Sequence, residues 1–89
     1  MARLDMGILE VSHFAEKKPT ADDYFELGIA HATGEGVPID LVAAHKWFNL
    51  AALSGNEEAA FHRQDLAIEM TPAMVARAQR SAREYLARH

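Results

Sequence analysis

Residues 31–55 read HATGEGVPIDLVAAHKWFNLAALSG, and this stretch decides the fold. Gly34 and Gly36 end one helix, because glycine adopts left-handed backbone conformations at little steric cost. Asp40 then caps a second helix, in which only three of the thirteen residues 41–53 are polar. A helix that is apolar on most of its faces is buried on more than one side. The stretch therefore predicts a helical hairpin whose second helix lies between the first helix and a later element.

Capping residues mark where the other helices begin. Thr20 caps the first helix, and Asp23, three residues later, completes a variant of the capping box. Asn56 caps a third helix that runs to about Met70, and Thr71, which a proline follows, caps the fourth. Short loops join these helices, so we expect an all-α fold of about four helices in antiparallel hairpins.

Helical spacing also predicts which side chains face inward. The first helix directs Tyr24, Leu27, Gly28 and His31 toward the second helix. The inward positions predicted for the third and fourth helices are Ala59, Leu66, Ala67 or Met70, Val75, Ala78, Ala82, Tyr85 and Leu86.

The length of 89 residues fits one domain. Residues 1–19 form an N-terminal segment whose spacing fits both a helix and an extended strand, and residues 20–89 form the helical domain. The sequence has no cysteine, which excludes disulfides and cysteine-ligated metals. No apolar run approaches the roughly 18 residues of a membrane span, and the first residues do not read as a signal peptide. We therefore expect a cytoplasmic protein that does not enter membranes.

Residues 21–60 resemble a Sel1-like repeat, a relative of the tetratricopeptide repeat. The family pattern is LG, GxGV, an aspartate, AxxW, AA, a glycine and a final alanine. The matching residues are Leu27, Gly28, Gly34, Gly36, Val37, Asp40, Ala44, Trp47, Ala51, Ala52, Gly55 and Ala59. His31 stands where the family usually has tyrosine, and we expect its ring to pack with one nitrogen hydrogen-bonded.

The matching residues also have a physical interpretation. Gly28 and the alanines of the second helix allow two helix backbones to approach closely, and Trp47 fills the space between helices as a largely buried side chain. Arg63 and Gln64 stand where the LG should recur, so the second repeat is degenerate. Asp23 stands where an alanine would meet a preceding repeat, which suggests that this is the first unit. The fourth helix then serves as a cap.

No group of residues in the sequence suggests catalysis or metal binding. The five histidines lie on different segments without a ligand motif. The acidic pairs Asp22–Asp23 and Glu57–Glu58 fall in first turns, where the helix dipole favours acidic residues. The GEGV loop lacks the GK[ST] of a phosphate-binding loop, and no serine lies in a nucleophile motif. We predict a protein that is not an enzyme and that uses no cofactor or metal.

The resemblance implies an adaptor or scaffold in bacterial signalling or assembly that binds another protein or a peptide. The predicted contact surface is the outward stripe of the first helix, formed by Asp22, Glu26, Ile29 and Thr33. Ile29 is then an isolated exposed residue, or it receives apolar side chains from a partner or from the chain's own residues 8–14.

The C-terminal arginines support an alternative function. Residues 71–89 carry four arginines and one glutamate, a net charge of +3, whereas the whole chain carries −4. Arg77, Arg80 and Arg83 form a stripe that fits a solvated helix face or a basic contact. The alternative is a small nucleic-acid-associated regulator that uses this helix, although the negative net charge argues against general nucleic-acid binding.

Overall fold

The computed structural model describes residues 18–89, and all the regular structure within them is α-helical. Helix α1 spans Ala21–Thr33, α2 spans Leu41–Leu53, α3 spans Glu57–Ile68 and α4 spans Pro72–Arg88. The predicted all-α class is confirmed for these residues. The alternatives for the N-terminal segment, including the folding back of residues 8–14, fall outside the described residues.

The predicted capping residues begin the four helices. The Thr20 hydroxyl accepts a hydrogen bond from the Asp23 N–H, and the Asp23 carboxylate accepts one from the Thr20 N–H, which completes the capping box. The side chains of Asp40, Asn56 and Thr71 each accept a hydrogen bond from the third residue of their own helices. These bonds satisfy backbone donors that have no partner within the helix. The predicted helix starts are therefore confirmed.

Helix α2 is the centre of the fold. The α1, α3 and α4 helices each pack against α2, whereas α3 and α4 bring their backbones close to each other at few points. The prediction that α2 is buried on more than one side is confirmed. Buried side chains from three of the helices, together with Met70, form one core. Its members are Ala44, Phe48, Ala51, Ala59, Leu66, Met70 and Ala78.

The aromatic ring that fills the space between α1 and α2 is Phe48. Its side chain is 1% exposed, whereas that of Trp47 is only partly buried. Trp47 is less buried than Phe48, but most of its surface is covered, which agrees with the predicted largely buried side chain. Adjacent helix residues point about 100° apart, and the orientation of α2 presents Phe48 to Gly28. A Cβ atom at Gly28 would lie 2.5 Å from two ring carbons of Phe48, so the predicted close approach at Gly28 is present.

Two residues predicted to face inward are exposed. Leu27 is 39% exposed and Leu86 is 51% exposed. The buried face of α1 centres on Gly28 and places Leu27 at its edge, while Tyr85 takes the inward position beside Leu86. Most of the other predicted inward residues are buried or half-buried: Tyr24, Gly28, His31, Ala59, Leu66, Met70, Val75, Ala78, Ala82 and Tyr85.

Candidate protein-binding surface

The predicted contact stripe on α1 is exposed at three of its four positions. Asp22, Glu26 and Thr33 are exposed, but Ile29 is half-buried and packs against the core. Of the two alternatives for Ile29, the isolated exposed apolar residue is therefore wrong. The reason is that Ile29 lies at the border between the outward face and the core, so one side of its side chain contacts the protein.

A surface pocket of about 420 Å³ opens beside Ile29. Phe25, Ile29 and Ala30 supply its apolar lining, and the acidic residues Glu26 and Glu35 also line it. A few hundred cubic ångströms is the size of a site that takes a side chain or a small ligand. The pocket combines an apolar floor with two negative charges, so it suits a group that is apolar along its length and positive at its end.

Phe25 is held in place by aromatic rings from two other helices. Its ring centroid lies 5.8 Å from that of Phe48 in α2 and 5.2 Å from that of His62 in α3. His62 in turn stacks on Phe48, with centroids 5.3 Å apart. Neither Phe25 nor His62 is among the residues that the sequence pattern predicts to face inward. The helical spacing identifies a residue's own face, but not the ring from another helix that meets it.

The ends of the α1 stripe are engaged in local hydrogen bonds. The Asn56 side-chain amide donates to the Asp22 carboxylate at 3.4 Å, which ties the beginning of α3 to the beginning of α1. The Thr33 hydroxyl lies 2.8 Å from the Ile29 carbonyl oxygen and 3.2 Å from a carboxylate oxygen of Glu35. Of the predicted stripe, Glu26 and Ile29 are thus the residues that line the pocket.

Three aromatic rings from three helices meet at the other side of α1. Trp47 stacks on Tyr24 at 5.9 Å and meets Tyr85 edge-on at 5.4 Å, and the Lys46 ammonium lies 4.4 Å from the Trp47 ring. The Tyr24 hydroxyl donates to the Tyr85 hydroxyl at 3.4 Å. This hydrogen bond, together with burial, raises the pKa of Tyr24 to about 12. Because the rings contact one another directly, the cluster fixes α4 to the hairpin.

His45 is a buried polar residue of α2. It is 3% exposed, and its Nδ1 atom has no hydrogen-bond partner among the described residues. Burial lowers the pKa of His45, and the nearby Arg63 cation lowers it further. Arg63 is itself fixed by a 2.8 Å hydrogen bond from its guanidinium to the Asn49 side chain.

The structure gives the backbone conformation, the hydrogen bonding or the burial of most residues that match the repeat pattern. Gly34, Gly36 and Gly55 adopt positive φ angles, and the His31 Nδ1 atom lies 2.8 Å from the Leu27 carbonyl oxygen, as expected for a hydrogen-bonded ring. Among the other matching residues, Ala44, Ala51 and Ala59 are buried and Val37 and Ala52 are half-buried.

Arg77, Arg80 and Arg83 are all exposed on α4, as both a solvated helix face and a basic contact require. Within residues 18–89, no three His, Asp or Glu side chains converge in a way that could hold a metal ion. None of the four helices is both long enough and apolar enough to cross a membrane.

Comparison of the chain with protein-family models, with curated proteins and with solved structures gives no match.

Proposed function

We propose that this protein is a non-enzymatic interaction module, built on a Sel1-like helical hairpin, that binds a segment of another protein as an adaptor or scaffold. The observation that carries the proposal is the pocket beside α1, which is lined by Phe25, Ile29 and Ala30 together with Glu26 and Glu35. The absence of cysteine supports a reducing compartment such as the cytoplasm.

The lining of the pocket defines the chemistry of the partner. Glu26 and Glu35 repel acidic groups, and the apolar floor gains free energy only when it is covered by apolar surface. Lysine and arginine satisfy both conditions, because their aliphatic stems pack on apolar surface while their heads remain charged. The partner is therefore a peptide segment with a lysine or arginine next to apolar residues.

Selection from a random peptide library displayed on phage tests the proposal. We expect the full chain to enrich peptides in which lysine or arginine neighbours an apolar residue. The binding of a selected peptide, followed by fluorescence anisotropy, is expected to weaken about tenfold or more in Glu26→Lys, because a rim carboxylate becomes a repelling cation.

Glu84→Lys is the matched control, because it makes the same change of charge at an exposed position of another helix. It is expected to bind the selected peptide within about twofold of the unmodified protein, since long-range electrostatics are screened in salt. Circular dichroism checks that both variants remain helical. Equal weakening in both variants, or enrichment of acidic peptides, would refute the proposed site.

A further inference from the structure

Helix α3 has apolar side chains on the face that points away from α2. Ala59 and Leu66 are buried against the core, whereas Phe61 is 68% exposed and Ile68 is 83% exposed. Phe61 and Ile68 are seven residues apart and therefore lie on the same side of the helix. These two side chains give α3 exposed apolar surface that gains free energy when a partner covers it.

Acidic residues lie beside these two side chains. Glu58, Asp65 and Glu69 are exposed along α3 and its end. The helix dipole favours Glu58 in the first turn, but it disfavours Asp65 and Glu69 near the C-terminal end. Helix stability therefore does not explain the last two acids, and a cationic partner would neutralise them. We call Phe61, Ile68 and these three acids the α3 face.

The complementary surface is present on α4 of the same chain. Arg77, Arg80 and Arg83 are exposed there, and the exposed Ala73 and Ala76 leave room for large side chains. Residues 57–70 carry four acids and one arginine, a net charge of −3, and residues 72–88 carry four arginines and one glutamate, a net charge of +3. We call Ala73, Ala76, Arg77, Arg80 and Arg83 the α4 arginine face. The α3 face carries large apolar side chains and acids, whereas the α4 arginine face carries small apolar side chains and basic residues.

The two faces of one chain are not placed against each other. Helix α4 packs its Ala78 and Ala82 on α2, so its arginines point away from the core, and the backbones of α3 and α4 approach each other at few points. The acids of α3 in one molecule can instead meet the arginines of α4 in a second molecule.

We propose that the α3 face binds the α4 arginine face of a second copy of this chain. In a two-fold arrangement each molecule offers both faces, so the contact is made twice and the assembly closes. Phe61 and Ile68 then pack over Ala73 and Ala76, and the arginines neutralise the acids of the α3 face. This surface is separate from the α1 pocket, so the inference does not depend on the proposed function.

Sedimentation equilibrium of the full chain over a wide concentration range tests the proposal. We expect an average mass that rises above the 9.8 kDa of one chain as the concentration increases. The association is expected to weaken as salt is added, because much of the attraction is between exposed charges. A mass of one chain at every concentration up to the millimolar range would overturn the proposal.

Charge reversal identifies the faces. Two double variants are used. One combines Asp65→Lys with Glu69→Lys, and the other combines Arg80→Glu with Arg83→Glu. Both alter exposed positions only. Each variant alone is expected to dissociate at least about tenfold more readily, because like charges now face each other. A mixture of the two variants is expected to associate again, since the reversed α3 face of one variant matches the reversed α4 face of the other.

An apolar substitution provides a second readout with a matched control. Ile68→Ser removes an exposed side chain from the α3 face, and Ile39→Ser makes the same change at a loop position that is 63% exposed. Only Ile68→Ser is expected to weaken the association. Equal effects of the two serine variants, or no recovery on mixing the charge-reversed variants, would contradict the assigned faces.

Two further measurements separate this inference from other outcomes. The Asp65→Lys, Glu69→Lys variant retains the α1 pocket, so peptide binding by that variant tests the proposed function without self-association. A mobility shift with random duplex DNA tests whether the arginines bind nucleic acid instead. The proposal would be overturned if the unmodified protein stays monomeric and binds DNA, and if the Arg80→Glu, Arg83→Glu variant no longer binds DNA.

Discussion

At Gly28, α1 lies close against a side chain of α2. The Phe48 ring occupies the space that a side chain at position 28 would need. Phe48 is 1% exposed, so core atoms surround it and it has no solvent-filled space into which it can move. The same small residue therefore sets both the distance between the two helices and the position of the largest ring in the core.

Gly28→Ala is expected to destabilise the protein. The new Cβ atom would lie 2.5 Å from two carbons of Phe48, and overpacking of this kind costs about 1–3 kcal/mol. Alanine is the better helix former by up to about 1 kcal/mol, which offsets only part of that cost. Urea denaturation followed by circular dichroism measures the change in the free energy of unfolding.

A double-mutant cycle with Phe48→Leu shows whether the clash is the cause. Phe48→Leu removes the ring carbons that Gly28→Ala would meet, so the alanine is expected to cost less, or to stabilise, in that background. If Gly28→Ala has the same effect with Phe48 and with Leu at position 48, close packing against Phe48 is not the reason for the glycine.

At the scale of the elements, α4 depends on the aromatic cluster for part of its attachment. The side chains that α4 buries completely are small, namely Ala78 and Ala82, while Met74 and Val75 pack against the core near the beginning of the helix. Tyr85 is the large side chain that reaches across to both Tyr24 and Trp47. His89 stacks on Tyr85 with ring centroids 4.2 Å apart and extends the cluster to the end of the helix.

Tyr85→Ala is expected to loosen the C-terminal half of α4 and to expose Trp47. Each aromatic pair contributes about 0.5–1.5 kcal/mol beyond the area it buries, so a loss of at least about 1 kcal/mol is expected. Trp47 is the single tryptophan, so its fluorescence reports on this cluster alone, and its emission is expected to shift to longer wavelength.

Leu86→Ala is the control for this variant, because Leu86 is the next residue and is 51% exposed. It is expected to leave the emission of Trp47 unchanged and to cost little stability. An unchanged emission spectrum in Tyr85→Ala would show that the tyrosine does not cover the tryptophan.

At the scale of the whole molecule, stability depends on keeping His45 neutral. His45 lies in the helix that every other described helix packs against, and its pKa is lowered from 6.5 by burial and by Arg63. The unfolded chain therefore binds a proton at a higher pH than the folded chain does. Stability contributed by the neutral imidazole is fully present above the unfolded pKa and is lost as the pH falls below about 6.5.

His45→Leu is expected to flatten the dependence of stability on pH. The free energy of unfolding of the unmodified protein, measured by denaturation at several pH values, falls more steeply between neutral and mildly acidic pH than that of His45→Leu. Leucine has no proton to bind and leaves no buried nitrogen without a partner, so that contribution disappears. Parallel profiles for the two proteins would contradict this role of His45.

The sequence by itself determined where the helices begin and which residues stop them. Caps and positive-φ glycines act on neighbouring backbone groups, so Thr20, Asp40, Asn56 and Thr71 could be recognised without knowledge of the fold. Gly34 could be recognised in the same way, and its φ angle is 81°. The small residues that let the helices approach each other could also be predicted from the sequence, because their spacing follows the period of a single helix.

Only the tertiary structure decided which side of α2 faces each neighbour. Trp47 and Phe48 are adjacent, and both suit a core, but the rotation of α2 about its own axis buries Phe48 completely and leaves Trp47 only partly buried. The packing of α1 and α3 against α2 brings Phe25 and His62 together from separate helices and places Ile29, predicted on an exposed stripe, in the lining of a pocket. These positions result from the contacts among all four helices together, and a local sequence pattern reports only on the helix in which it occurs.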